Sequence, residues 1–312
     1  MILGAHWKNK FKTPYVVDMQ DPWHSTYYEG KAKAERPPKY WFSYRLNKYL
    51  EPIAMNKVDG LISVSQAYLD TLTARYPRLR QVPKQVITFA AFKQDFDWVK
   101  SNFASFKQSY PKEMESVNFV YVGRGGHDMR DALVLLFTAF KKGLTDYPEQ
   151  FSKIRFHFIG TSYAPNGYGI PTIKPIAEEM GITKYVNEQT DRISFYQSIY
   201  TLLTADTLVI IGSDDPQYTA SKIYPYIMAE RPLLAFFHPE SSAAQIIENC
   251  NAGKVISLIA PKDQALETIN DYLYNTTAKK IAPPKMNWQS FEVYSAENIC
   301  KRQCELFNQV VK

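Results

Sequence analysis

Residues 207–237 read TLVIIGSDDPQYTASKIYPYIMAERPLLAFF. The apolar runs 208–211 and 233–237 have the length of buried strands, and a polar loop followed by a helix-like segment separates them. The stretch therefore predicts a strand–loop–helix–strand unit with its loop at the carboxyl edge of a parallel sheet, where such sheets bind ligands. The helix is predicted to begin near Ser221, with Lys222 in its first turn. Because the N–H groups of a helix start and a lysine both attract anions, we predict a phosphate or diphosphate site here.

The chain around this stretch repeats the same alternation. Apolar runs at 117–122 and 154–159 precede helix-like segments, and a further short strand is predicted at 193–195. Two earlier runs, 14–18 and 60–64, predict strands of a smaller region. Strands that alternate with helices are typical of a doubly wound parallel sheet, so the predicted fold class is α/β.

The length of 312 residues fits two domains of ordinary size. We assign residues 1–115 to the first domain with its linker, because the sequence before residue 117 is mixed and polar. Residues 116–293 are assigned to the second domain. Residues 294–312 are predicted to form a helix that packs back toward the first domain.

Composition excludes several classes of protein. Hydrophobic residues make up 45% of the chain and charged residues 22%, which is typical of a globular protein in water. No apolar run approaches the ~20 residues that span a bilayer. The three cysteines are odd in number and lack the spacing of a zinc site, so we expect no disulfide framework, no metal and a cytoplasmic location.

Positive charge is concentrated in the first part of the chain. Residues 1–115 hold 18 Lys and Arg against 11 Asp and Glu, whereas residues 116–312 hold 19 against 20. Aromatic residues are interleaved with these cations, which indicates an anionic membrane surface or nucleic acid as a partner. We rank the membrane first and expect no nucleic acid, because no nucleic-acid-binding motif is present; a plain solvated basic face is the simpler alternative. The cations nearest the start are Lys8, Lys10, Lys12, Lys31, Lys33, Arg36, Lys39, Arg45 and Lys48.

A glycine-rich turn follows the run 117–122. It reads Gly-Arg-Gly-Gly over residues 123–126, and glycines there allow a ligand to approach the backbone while Arg124 can form paired hydrogen bonds with phosphate oxygens. Arg130, at the next helix start, is a candidate second cation. A dinucleotide-binding turn would need glycine where Asp128 stands, so we reject that interpretation. The alternative is a structural turn with a surface arginine.

A second polar cluster follows the run 14–18. Asp18, Asp21 and His24 lie within seven residues at the predicted end of a strand, where a carboxylate can orient a general base. The alternative is turn chemistry at Asp21-Pro22.

Several stretches together resemble one known family. Residues 221–235, SKIYPYIMAERPLLA, resemble a segment of the retaining glycosyltransferases with the GT-B fold, of the family 4 type (glycosyl transferases group 1). Other resembling stretches follow in the family's order: VVDMQDPW at 16–23, DGLISVS at 59–65, VYVGR at 120–124 and AD at 205–206.

The resemblance implies two Rossmann-like domains and a nucleotide-sugar donor, with neither metal nor cofactor. Asp21 and His24 would face the acceptor as catalytic residues, and Tyr163 and Gln217 would contact the base or ribose. The implied diphosphate-binding residues are Gly123, Arg124, Gly125, Gly126, Arg130, Thr219, Ser221 and Lys222.

The chain departs from the family in two respects. The family's two donor-site glutamates are replaced by Gln217 and Pro225. A proline is compatible only with the first turn of the helix, which agrees with a start near Ser221. The family also has a longer sequence before the stretch 16–23, so the first domain is expected to be incomplete, in a fragment or in a gene product started late.

The resulting hypothesis is a hexosyltransferase-type enzyme of polysaccharide or cell-surface glycan biosynthesis. It would move a sugar from a nucleotide sugar to a glycan or lipid-linked acceptor, in the cytoplasm or at the inner face of the plasma membrane, with peripheral contact through the basic first half. The alternative is a non-catalytic or fragmentary GT-B-like domain that binds a nucleotide or a protein partner. A nucleotide-sugar epimerase ranks third.

Overall fold

The computed structural model describes residues 2–26, 28–30, 33, 36 and 38–311. Its strands are β1 (Val16–Met19), β2 (Gly60–Ser63), β3 (Lys84–Val86), β4 (Val117–Val122), β5 (Ile154–Ile159), β6 (Val186–Gln189), β7 (Thr207–Ile211), β8 (Leu233–Phe237) and β9 (Lys254–Ser257). Its helices are α1 (Ile2–Phe11), α2 (Tyr40–Met55), α3 (Gln66–Arg75), α4 (Lys93–Ser101), α5 (Arg130–Asp146), α6 (Pro148–Phe151), α7 (Lys174–Glu179), α8 (Phe195–Thr204), α9 (Ile223–Met228), α10 (Ser242–Asn249), α11 (Lys262–Thr277), α12 (Trp288–Phe291) and α13 (Ala296–Val310).

The chain forms two compact units. Unit 1 comprises Met1–Ala90 and Ala296–Lys312, and unit 2 comprises Ala91–Ser295. The segment 91–115, which the sequence assigns to the first domain, lies in unit 2. Phe96 and Val99 of α4 explain this placement, because both are buried in the core of unit 2 together with residues of α8.

Unit 1 is built on a three-stranded parallel sheet in the order β1-β2-β3. Val17 pairs with Leu61 in the first pair of strands, and Ser63 pairs with Val86 in the second. One face of the sheet is covered by an apolar core that includes residues of α2 and α3: Val17, Met19, Met55, Val58, Leu61, Leu69, Leu72, Leu79 and Val82.

The C-terminal helix α13 packs on the sheet of unit 1. Leu306 is buried with Ile62 of β2 and Ile87. Gly60 permits this approach, because a Cβ at that position would lie 2.7 Å from a methyl carbon of Val310. Arg302 donates a hydrogen bond to the carbonyl of Val86 over 2.5 Å, which connects the helix to β3.

Unit 2 is a six-stranded parallel sheet in the order β6-β5-β4-β7-β8-β9. Every residue of β7 and β8 is buried, as expected for strands covered on both faces, and this confirms the strands predicted from the two apolar runs. The strand order reverses between β4 and β7. In open α/β sheets the crevice at such a reversal is where ligands bind.

A tyrosine separates β4 from β7 at their carboxyl ends. The two strands pair through Phe119 and Val120 in the middle of β4, which face the first two residues of β7. At the carboxyl end of β4, the N–H of Val122 donates to the hydroxyl of Tyr226 over 2.6 Å, and this hydroxyl donates to the Val122 carbonyl at 3.1 Å. Because a side chain satisfies the backbone here, the sheet is open at the strand-order reversal.

The strand predicted at 193–195 is wrong. Phe195 is the first residue of α8, and the strand of this region is β6, which begins at Val186, seven residues before the predicted start. β6 is the edge strand of the sheet, and its polar sequence, Val-Asn-Glu-Gln, lacks the apolar run of a central strand.

The helix predicted from Ser221 begins two residues later. α9 starts at Ile223, with Lys222 at its N-cap. Pro225 is the third residue of the helix and therefore lies in the first turn, as expected. The helix has six residues, so its dipole is short and contributes less to anion binding than the sequence suggested.

Candidate active site in unit 2

The glycine-rich turn after β4 extends the backbone hydrogen bonding between β4 and β5. The N–H of Gly123 donates to the Ile159 carbonyl at 2.9 Å, and the N–H of Gly125 donates to the Thr161 carbonyl at 2.8 Å. A Cβ at residue 125 would lie 2.6 Å from the Thr172 hydroxyl oxygen. The glycine at 125 is thus required by the packing of the turn, and its N–H is already engaged within the protein.

Arg124 forms a bidentate ion pair with Asp128. Its Nη1 donates to Oδ1 at 3.0 Å and its Nη2 to Oδ2 at 2.7 Å. Burial opposes the ionisation of Asp128, but the hydrogen bonds and charge of Arg124 outweigh it and hold the pKa of this carboxyl below its usual range. A Cβ at Gly126 would collide with atoms of both side chains, so the glycine provides the space for the pair. The arginine fork therefore already holds a carboxylate of this chain.

Lys222 reaches the same turn from the other side of the strand-order reversal. Its Nζ donates to the Tyr121 hydroxyl over 2.5 Å, and that hydroxyl donates to the Arg124 carbonyl at 2.7 Å. The ammonium also lies 4.7 Å from the centroid of the Tyr121 ring. Tyr121 thus connects the loop after β4 to the start of α9.

The environment of Lys222 disfavours its charge. The pKa of Lys222 is lowered to about 7, chiefly by burial and also by the charge of Arg124, while Asp128 opposes the change. An anion placed between the two cations would favour the charged ammonium and raise this pKa. The arrangement is suited to a ligand with more than one negative charge.

The loop before α9 is organised by Asp215. Its Oδ1 accepts the N–H of Gln217 at 2.8 Å, and its carbonyl accepts the N–H of Tyr218 at 3.1 Å. Gln217 and Ser221 are exposed, and Thr219 is half-buried.

Two tyrosines lie next to the cation cluster. Tyr218 packs on Phe237 with ring centroids 6.0 Å apart. Burial raises the pKa of Tyr218; the charge of Arg124 opposes this shift, and Asp128 and Tyr163 add to it, so the hydroxyl is near these groups. Tyr163 is 69% exposed, and Arg192 stacks on its ring at 4.6 Å. The sequence analysis selected Tyr163 and missed Tyr218. An aromatic residue within a polar loop was the signal that could have indicated Tyr218.

Arg130 forms an ion pair away from Arg124 and Lys222. It is the first residue of α5, and its Nη2 donates to Oε2 of Glu179 on α7 at 2.6 Å. The structure therefore brings Arg124 and Lys222 together and gives Arg130 a different anionic partner.

The catalytic pair proposed from the sequence has a different arrangement in unit 1. His24 is buried, and its Nε2 lies 3.2 Å from Oε1 of Glu51 and 3.0 Å from Nη1 of Arg75. Asp21 is exposed, and the carboxylate beside the imidazole belongs to Glu51, 27 residues later in the chain. Sequence proximity suggested Asp21 as the partner, whereas the contact is made across the unit.

The environment of His24 is typical of a structural histidine. Burial, the largest cause, lowers the pKa of His24; Glu51 opposes this shift and Arg75 adds to it. Glu51 also accepts hydrogen bonds from Arg75 at 2.5 Å and from the hydroxyl of Tyr76 at 2.9 Å. The imidazole belongs to a buried polar network that connects α2 to α3.

Within the part of the chain that the structure describes, no three His, Cys, Asp or Glu side chains gather as a metal site. Across the same residues, no helix has both the length and the apolar character that a membrane span requires.

No family model and no curated protein matches the sequence. Solved structures do match the fold. Sucrose-phosphate synthase from Thermosynechococcus elongatus aligns with a TM-score of 0.62 at 12% identity, over 99% of this chain and 71% of that one. A UDP-forming alpha,alpha-trehalose-phosphate synthase from Burkholderia vietnamiensis gives 0.61 at 11% identity, over 99% and 72%. HepE from Anabaena, solved in complex with UDP, gives 0.61 at 12% identity, over 98% and 75%.

These neighbours are glycosyltransferases of the GT-B fold, and the fold of this chain is therefore GT-B: α/β, with parallel sheets in two units. The fold class expected from the sequence is confirmed. At identities of 11–12% these matches establish the fold alone.

Proposed function

We propose that the chain is a glycosyltransferase that binds a nucleotide sugar at the carboxyl end of β4. The observation that carries the proposal is the convergence of Arg124 and Lys222, connected by Tyr121, where the strand order of unit 2 reverses. The two cations come from separate loops, 98 positions apart in the sequence. Their position matches the edge at which open parallel sheets bind ligands.

The chemistry required of this site is stabilisation of a leaving group. When the bond between the sugar carbon C1 and the diphosphate oxygen breaks, the oxygen keeps the electron pair and negative charge grows on the diphosphate. Arg124 and a protonated Lys222 stabilise that charge, and cations already in place do so without a reorganisation cost. The acceptor hydroxyl oxygen forms the new bond to C1, and its proton passes to the departing diphosphate oxygen. The resemblance to retaining enzymes favours retention of the anomeric configuration.

The identities of the nucleotide and of the acceptor are also proposals. UDP is the first nucleotide to test, because solved neighbours are described as UDP-forming or in complex with UDP. Tyr163, stacked with Arg192, and Tyr218 supply flat surfaces for the base. We assign the acceptor to a glycan or lipid-linked sugar of polysaccharide or cell-surface glycan biosynthesis, made in the cytoplasm or at the inner face of the plasma membrane. The exposed Asp21 is the candidate for the acceptor side.

A thermal-shift panel of UDP, GDP, ADP and CMP tests the donor site. A nucleotide at 100 times its dissociation constant stabilises the protein by about 2.7 kcal/mol, a shift that is easily measured. Arg124→Ala and Lys222→Ala are expected to abolish the shift, whereas Lys142→Ala, which removes an exposed cation of α5, should leave it unchanged. A panel without any shift, or shifts that survive both site substitutions, would refute the proposed site.

One observation favours a second candidate, a GT-B-like domain that binds a nucleotide without turnover. Gln217 and Pro225 stand where the resembling family has glutamates. Release of UDP from UDP-sugars, measured with and without candidate acceptors, separates the two. Nucleotide binding that depends on Lys222, together with no release above buffer, would support the binding domain.

A further inference from the structure

Helix α2 buries a charged residue beside Ala54 and Met55 on its packed side and exposes apolar residues on its other side. On the side that packs against the rest of unit 1, Glu51 is only 1% exposed and is held by Arg75 and Tyr76. The opposite side carries a continuous apolar stripe with the i, i+4, i+7, i+11 spacing of one helix face. Its four residues are all exposed: Phe42, Leu46, Tyr49 and Ile53.

A second apolar stripe lies on the neighbouring helix. α1 packs against α2, and its residues Leu3, Trp7 and Phe11 are exposed at successive i+4 positions. Trp41, 64% exposed, lies beside the stripe of α2. We call these two stripes with Trp41 the α1–α2 surface. Exposed apolar patches of this kind mark interaction sites.

The exposed charged residues of the two helices are all basic. α1 contains no acidic residue, and Glu51, the one acidic residue of α2, is buried. Lys10 lies 5.1 Å from the centre of the Phe11 ring, and Arg45 lies 5.7 Å from that of Trp41. Cations are therefore placed directly beside the exposed aromatic rings.

Not every cation of the two helices is available to a partner. Lys8 of α1 donates to Oδ1 of Asp59 over 2.5 Å, so its charge is neutralised within the unit. Lys10, Arg45 and Lys48 are exposed. A partner for this surface must accept apolar and aromatic side chains and also supply negative charge.

We propose that the α1–α2 surface binds the interfacial region of an anionic lipid bilayer. Tryptophan and tyrosine are favoured at the headgroup level, where one part of the ring is apolar and the other is wet. Lysine and arginine extend from the same surface to lipid phosphates. A protein partner fits less well, because the centres of protein interfaces are depleted of lysine. This inference does not depend on the proposed glycosyltransferase activity.

Vesicle co-sedimentation of the full chain tests the surface. We expect binding to phosphatidylcholine vesicles that contain about 30 mol% phosphatidylglycerol, weak binding to phosphatidylcholine alone, and a loss of binding as salt screens the charges. Lys10→Gln with Arg45→Gln should weaken binding by about fivefold per cation, or about 25-fold for both. Phe42→Ser with Tyr49→Ser should weaken it further by removing the inserted side chains.

Matched variants of unit 2 serve as controls. Lys142→Gln with Lys262→Gln removes two exposed cations, and Tyr168→Ser removes an exposed aromatic ring; both should bind vesicles like the unaltered chain. Circular dichroism checks that every variant folds. Equal binding to neutral and anionic vesicles, or wild-type binding by the α1–α2 variants, would overturn the proposal. It would also be overturned by a dimer that depends on Phe42 and Tyr49, or by retention on duplex nucleic acid without vesicle binding.

Discussion

At the scale of single residues, the proposed donor site is defined by which charges are already paired. Arg124 holds Asp128 in a bidentate pair, and Lys222 donates to a phenol rather than to an anion. A carboxylate on the arginine fork occupies the positions that phosphate oxygens would take. Asp128 is therefore expected to compete with any diphosphate that binds to Arg124.

Asp128→Asn should strengthen nucleotide binding. The amide has nearly the shape of the carboxylate but no charge, so the fork of Arg124 becomes available to phosphate oxygens. We expect UDP affinity to rise several-fold in isothermal titration calorimetry. Asp131→Asn, on the first turn of α5, is the matched control and should leave affinity unchanged. Weaker binding by the Asp128 variant would instead assign to Asp128 a role in positioning Arg124.

Diphosphate binding should be coupled to proton uptake by Lys222. Its pKa in the free protein is about 7, against an ordinary value of 10.5, so at pH 8 most of the free protein carries a neutral amine. An anion raises this pKa, and a proton is taken up on binding. Calorimetry at pH 8 in buffers of different ionisation enthalpy should show the uptake, and at pH 6, where the amine is already protonated, it should vanish. The same uptake in Lys222→Met would exclude Lys222 as its source.

At the scale of elements, strand β4 ends against a side chain instead of a strand. The Tyr226 hydroxyl satisfies both polar groups of the Val122 backbone, which leaves the carboxyl end of β4 open for the turn that carries Arg124.

An element could be predicted from the sequence where its apolar residues are buried. β7 and β8 are buried on every residue and follow directly from their apolar runs, whereas the apolar residues Leu3, Trp7 and Phe11 of α1 are exposed.

Tyr226→Phe should destabilise unit 2 and weaken donor binding together. The change leaves the half-buried N–H and carbonyl of Val122 without their partner, which costs about 1–3 kcal/mol. Denaturant unfolding and the nucleotide thermal shift measure the two effects. Tyr185→Phe is the control, since this buried tyrosine has no hydroxyl hydrogen bond in the described part of the chain. A Tyr226 variant as stable as the unaltered protein would show that water replaces the hydroxyl.

At the scale of the whole molecule, the sequence predicted two α/β regions and the two cations of the proposed donor site, but not the side chains that these cations contact. Arg124 and Lys222 each follow an apolar strand, so the pattern placed both at one sheet edge. The contacts of Asp128 and of His24 with Glu51 depend on side-chain directions and on packing between distant segments, which no local pattern encodes. The unit boundary near residue 90 depends in the same way on the burial of Phe96 and Val99.

The unit Ala91–Ser295 should fold and bind nucleotide by itself. Both of its apolar cores and the whole cation cluster lie within this range, and α13 contributes to the other unit. We expect a fragment of residues 91–295 to unfold cooperatively and to show the nucleotide shift of the full chain. A fragment that melts without a transition would show that unit 1 is required for folding.

The exposed apolar stripe of α2 separates the demands of folding from those of function along one helix. Phe42, Leu46, Tyr49 and Ile53 contribute little to the core, so folding alone does not require them. In a library of α2 variants selected only for soluble expression, these four positions should drift to polar residues while Glu51 stays acidic. Selection that also demands lipid attachment should restore the apolar residues, and the two sequence profiles would differ on opposite sides of the same helix.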